Sequence, residues 1–339
     1  MNKITKVGVT ALCGSLAAVS AANAGALTVA GGATVTYMQN DGVVTGNPIG
    51  MNSGITFTGS GELDNGSTVT LTLTNADQDT YSAGSLTWAI PGFGTLAIDQ
   101  SGSGLDAIDD MMPTAWEETN GTGLTNTLVT VGGVGGATNL QWTADSGMLP
   151  DGVSLSIAHS PTTSGGKVND KGAGGDGDNK SGTGWDIVLQ HSAAADGLNI
   201  FGGYSTIDQT QVASVVDGDR KQWSVGATYA IGGFTVGYQL QEDDRANAAT
   251  SATRSYENEA YGVSFAVNDD LSISYGRHQS EAQKVGIADV ELDGSSFQIA
   301  YSMGGASIKI AESSVDNNAY STTAANQKDG TIVSLTLAF

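Results

Sequence analysis

Five carboxylates fall within thirteen residues: Asp106, Asp109, Asp110, Glu117 and Glu118, set around Met111, Met112 and Trp116. Acids this close can attract cations and repel anions. They can also ligate a hard divalent ion, and Asp106, Asp109 and Asp110 supply the oxygen ligands calcium prefers. Asp176 and Asp178 offer a second such pair. The plain alternative for both sets is solvated acids on surface loops. Catalysis would need a general base beside a nucleophile or a water. The three histidines, His159, His191 and His278, lie near strand ends with no nucleophile motif beside them. His159 and His191 flank one long loop, where a cross-strand pair can form. The glycine-rich run at 172–177 follows no apolar strand and precedes no amphipathic helix, so it reads as a flexible loop and not as a phosphate cradle.

The overall charge limits the partners. With 13 Lys+Arg against 35 Asp+Glu, the net charge is −22. Nucleic acid is held through Lys and Arg contacts to phosphate, so such a chain repels it. Adaptation to a salty habitat accounts for the bias as well as cation handling does. The distribution is uneven. Between Gly25 and Gly166 there is no Lys or Arg at all, against 13 Asp and Glu.

At the N-terminus, Asn2 to Lys6 is a short basic stretch and Val7 to Ala22 is uncharged. Ala22-Asn23-Ala24 then presents a small-x-small cleavage pattern, so residues 1–24 are expected to be a secretory signal peptide and 25–339 the mature chain. Losing Lys3 and Lys6 leaves 11 basic against 35 acidic residues, a net of −24. The single cysteine, Cys13, goes with the signal, and no disulfide framework remains.

No later stretch reaches the roughly 18 apolar residues of a spanning helix. From Leu27 to Phe339, segments of about ten residues instead alternate apolar with small or polar, as barrel strands do. Sixteen can be marked, among them Ser67–Asn75, Tyr256–Val267, Leu271–Gln279 and Ser295–Met303. In Ser67–Asn75, Val69, Leu71 and Leu73 face one way and Thr68, Thr70, Thr72 and Thr74 the other. The polar face holds Thr, Ser, Gln and Gly, where a soluble sandwich would carry Lys and Glu. The apolar face is nearly free of charge until strand ends such as Arg277. A mid-membrane Arg or Lys on the lipid face costs ~2–4 kcal/mol, so lipid exposure demands that absence. Tight links such as Asp64-Asn65-Gly66, Gly232-Gly233 and Gly304-Gly305 alternate with long acidic ones, giving short turns on one rim and long loops on the other. Aromatics such as Tyr37, Trp88, Trp142, Trp185 and Trp223 sit near strand ends, as at membrane interfaces.

The ending Thr331 to Phe339, with Val333, Leu335, Leu337 and Phe339 on one face, resembles the closing strand of Gram-negative outer-membrane proteins. With the signal peptide and sixteen segments, the chain resembles the general porins of alphaproteobacteria. The resemblance implies an antiparallel up-and-down transmembrane β-barrel of about 16 strands, assembled as a homotrimer in outer-membrane lipid. It makes Phe339 part of the signal read by the barrel-assembly machinery. It also implies that the third loop, at about 101–137, folds into the barrel as a constriction, with Leu105–Glu118 as a short helix carrying the five acids. Such porins set a basic cluster opposite, and here the sequence departs from the pattern. Counter-charge must come from Arg220, Lys221, Arg245, Arg254, Arg277, Lys284 or Lys309. By alternation Glu62, Asp99, Asp186, Arg220 and Lys309 fall on the pore-lining face. The expected function is passive diffusion of ions and small hydrophilic solutes with a weak preference for cations, needing no cofactor, with structural calcium as the one candidate ion. The rival readings are a secreted or surface-exposed β-rich structural protein or adhesin, and an outer-membrane enzyme.

Overall fold

The computed structural model describes residues 27–41, 47–76, 83–99, 102–119, 123–124, 126–163, 182–209, 216 and 218–339. The signal-peptide region and Asp176 and Asp178 lie outside them, as does the side chain of Asp99. The first eight strands are β1 Thr28–Asp41, β2 Ile49–Glu62, β3 Thr68–Ala76, β4 Ala83–Ile90, β5 Gly94–Asp99, β6 Asn139–Ala144, β7 Val153–Ser160 and β8 Gly184–Ala195. The rest are β9 Leu198–Ile207, β10 Arg220–Ile231, β11 Phe234–Asp244, β12 Thr253–Ala266, β13 Leu271–Lys284, β14 Val290–Met303, β15 Ala306–Asp316 and β16 Lys328–Ala338.

Each strand pairs antiparallel with the next, and β16 returns to β1 from Gly32↔Ala338 to Asp41↔Asp329, closing one barrel of sixteen strands. Beyond that ladder Gly31 and Phe339 exchange both backbone hydrogen bonds at 2.9 Å, so the last residue is stitched into the seam. Closure removes the unpaired edges that an open sheet would leave in lipid. The two-residue links at Gly232 and Gly304 turn through φ of +59° and +61°, which glycine adopts without steric cost.

Polarity is inverted relative to a soluble protein. Outward Phe57, Leu71, Ile187, Val225, Val236, Phe297 and Leu335 are each about 40–50 % exposed, while inward Gln222, Ser224, Gln239, Ser274 and Gln298 are buried. An apolar band of that extent needs lipid against it. Aromatics mark both edges of the band. Near the short turns Trp142 donates to the Phe93 carbonyl, Trp88 donates to Ser67, and Phe234 stacks on Phe265. Near the long loops Trp223 donates to Glu242 and Trp185 stacks on His159. Above that second edge the wall continues in polar residues: β13 runs to Lys284 and β14 begins at Val290, each five residues beyond the apolar pattern. Strands β3 to β7 are the shortest, at 6 to 9 residues.

Candidate functional site

The segment between β5 and β6 is the third long loop, and its described residues bond to inward-facing side chains of the wall. It opens with a single 3₁₀ turn, Gly104–Ile108, over β8 to β10. The turn buries Leu105 and Ile108 against Val188 and Phe201, with Val131 from the returning arm and Met111 and Met112 beside them. The outward arm then crosses the wall strand by strand. Met111 N–H donates to Gln239 on β11 and Ala115 N–H to Ser274 on β13. Trp116 and Glu117 both donate to Gln298 on β14. Gln239 and Gln298 donate back to the carbonyls of Ile108 and Glu117.

Leu105–Glu118 is therefore not the helix expected of it. Pro113 lacks an N–H and interrupts any helix through its centre. The N–H groups of Met111, Ala115, Trp116 and Glu117 find acceptors on wall Gln and Ser side chains instead, and the arm runs irregularly past the 3₁₀ turn.

The returning arm, from Gly123 onward, lies nearer the long-loop rim. Leu124 packs with Tyr256, Leu292, Val315 and Tyr320, the last from the loop between β15 and β16. Val129 N–H donates to the Tyr320 hydroxyl, and Asn258 on β12 donates to the Val129 carbonyl. The phenol of Tyr320, buried in this cluster, is pushed up to about 12. Thr130 donates to Asp109 at 2.8 Å, tying the two arms together.

Of the acids, Asp109 is held farthest from its ordinary range. Burial, with Asp110 and Asp106 nearby, pushes its carboxyl up to about 7 against the lowering effect of Thr130. Desolvation also raises Asp110, Glu117 and Glu118. For Asp110 repulsion from Asp106 adds to this, and for Glu117 repulsion from Glu118 is opposed by Lys309. Asp110 and Glu118 are within hydrogen-bonding reach of one another. Among the described residues no three His, Cys, Asp or Glu side chains are grouped to hold a metal ion.

The residues expected to line the pore separate into different environments. Lys309 faces inward on β15, its ammonium 5.8 Å from the Trp116 ring. Arg220 faces inward and grips Asp243 with two hydrogen bonds of 2.6 and 2.8 Å, while Arg245 takes the same carboxylate at 2.8 Å. Glu62 is exposed at the short-turn end of β2. Asp186 faces inward but is only 2 % exposed, because the third loop covers it. It does not line the open lumen. Its Oδ2 accepts from Leu105 N–H at 2.8 Å and from Val134 N–H at 2.9 Å, joining the start and the end of the loop. Arg277 and Lys221 point outward and supply no counter-charge to the lumen; Arg277 pairs with Asp293 and Tyr261 on the outer face. The histidines also disperse. His159 is opposite Trp185 and His191 opposite Val153, so the cross-strand pair does not form, and His278 is buried under the loop. The wall anchors Gln239, Asn258 and Gln298, with Gln222, which accepts from Gly133 N–H at 2.7 Å, are not apparent as such in the sequence. Their one signal was long amides on an inward face otherwise built of Thr, Ser and Gly.

The comparisons fit this architecture. The model of the Gram-negative porin family matches residues 8–339. A search of curated proteins finds no match. Among solved structures, OmpF of Salmonella typhi in complex with daunomycin superposes with a TM-score of 0.69 at 15 % identity, covering 92 % of this chain and 97 % of that one. OmpT of Vibrio cholerae gives 0.65 at 11 % identity, with 92 % and 97 % covered. The anion-selective porin from Comamonas acidovorans gives 0.60 at 11 %, with 93 % and 99 % covered. At these identities the likeness is one of fold, and the family assignment rests on the match over nearly the whole chain. The chain belongs to the Gram-negative porin family and forms an outer-membrane pore through which ions and small hydrophilic solutes diffuse passively.

Proposed function

We propose that the third loop is the constriction of this pore and that its carboxylates make the pore prefer cations. The observation that carries the reading is the imbalance of charge at the loop. Asp109, Asp110, Glu117 and Glu118 have no ion-pair partner among the described residues, and Lys309 is the cation beside them. Other inward cations are engaged near the long-loop rim. Arg220 and Arg245 share Asp243, Lys284 donates to the Tyr320 carbonyl and Lys328 to that of Leu124. An anion-selective porin has the same fold, so the sign of selectivity belongs to the lining and not to the barrel.

Replacing Glu117 and Glu118 together by Gln keeps side-chain volume and removes two charges. Under a KCl gradient the preference for potassium should fall, with a smaller change in conductance. Unaltered selectivity would put the constriction elsewhere. The assembly proposed is a homotrimer. Support comes from the low wall of β3 to β7, the shortest strands of the barrel. A trimer band surviving detergent without heating would support it, and a monomer under the same conditions would oppose it.

A further inference from the structure

Three glycines stand at one level of the inner wall. Gly237 on β11 is directly opposite Gly262 on β12, and Gly262 is directly opposite Gly276 on β13. Glycine weakens a strand interior, and its presence there often marks a close backbone approach. The third loop makes that approach. A methyl group on Gly262 would come within 2.9 Å of the Pro113 carbonyl oxygen and 3.3 Å of Pro113 Cδ. On Gly237 it would lie 2.6 Å from Pro113 Cδ, and on Gly276 it would overlap the Thr119 hydroxyl.

We infer that the row Gly237–Gly262–Gly276 is a recess whose depth sets how far the third loop stands into the lumen, and therefore the bore of the pore. This rests on the reading of that loop as the constriction. The wall behind the row is a fully hydrogen-bonded sheet and does not retreat. The two ends of the loop are fixed on Asp186, so the loop cannot slide along the wall either. A methyl in the recess leaves one direction free, toward the pore axis. The sign of the effect separates a recess from ordinary damage: a loosened loop would widen the pore, whereas a lifted loop narrows it. Packing rules make one added methyl enough to be felt.

The test is single-channel conductance of assembled pores carrying Gly262→Ala or Gly237→Ala. Since current follows open cross-section, conductance should fall roughly 1.1- to 1.5-fold. Pro113→Ala removes the Cδ that meets Gly237→Ala, so the double variant should recover most of that loss. Gly276→Ala meets the Thr119 hydroxyl and is a third, independent site to test should Gly262→Ala assemble poorly. Thr119→Ala would leave the new methyl 3.6 Å from the residue-119 Cβ, an ordinary contact, and should restore conductance. Unchanged or increased conductance in the glycine variants, or absence of rescue, overturns the recess. If conductance is unchanged while Glu117→Gln/Glu118→Gln still shifts selectivity, the recess fails and the constriction stands. If neither variant has an effect, both readings fall.

Discussion

Asp186 offers the sharpest handle on the third loop, because one oxygen of one side chain holds both ends of it. Leu105 N–H at 2.8 Å and Val134 N–H at 2.9 Å converge on Oδ2, and the site is sealed from water. Asp186→Ala removes the acceptor and leaves two buried N–H groups unpaired, at ~1–3 kcal/mol each. Taking ~3 kcal/mol as the combined effect, the population with the ends released should rise on the order of 100-fold. The remaining wall contacts keep most of the loop in place, so the expected phenotype is excess open-channel current noise with brief excursions to higher conductance. Asp186→Asn retains an amide oxygen able to accept both bonds and loses the charge that strengthens them. Its noise should lie between the wild-type and Ala levels. Planar-bilayer recordings of single pores would read all three. An Ala variant with wild-type conductance, noise and selectivity would refute the clamp and leave the other wall contacts to hold the loop.

Further expectations follow from the same geometry. Lowering pH should weaken cation preference: the Asp109 carboxyl becomes neutral as pH falls through about 7, and Asp110, Glu117 and Glu118, also raised, follow at lower pH. Reversal potentials between pH 8 and pH 5 would show the decline, and a flat profile would exclude these groups from the constriction. Deleting Phe339 removes the backbone exchange with Gly31 and the outward aromatic, 83 % exposed, at the seam. The yield of folded barrel in cells should fall while conductance per assembled pore stays unchanged; normal yield would argue against an assembly role for this residue.

Much of the barrel was legible because membrane strands obey a two-residue period on both faces at once. All sixteen strands fall on the segments marked by alternation, and Val333, Leu335, Leu337 and Phe339 do face outward. The marked segments stop short of the ends of β13 and β14, since above the lipid the outward positions turn to Glu281 and Glu291 and the apolar signal stops while pairing continues. The acids of the third loop could be found by their density. What they rest on could not. The Asp186 clamp joins residues 52 and 81 positions away in sequence, and Gln298 reaches back 182 positions to Trp116. No local pattern encodes such pairings. The expected helix failed for a related reason, because several of its N–H groups are satisfied by distant wall side chains and Pro113 stands in its middle. Parity correctly turned Asp186 inward but could not reveal that the loop would cover it.

The central claim, an acid-lined constriction that selects by charge, is tested most directly by reversal potential under a KCl gradient at two ionic strengths. Screening limits the reach of the loop carboxylates to ~3 Å at 1 M salt and extends it to ~10 Å at 0.1 M. The account predicts a clear potassium preference at 0.1 M that fades toward neutrality at 1 M. A neutral or chloride-preferring pore at 0.1 M would contradict it, meaning that the inward cations and not the loop carboxylates set the sign, and would leave the barrel itself untouched.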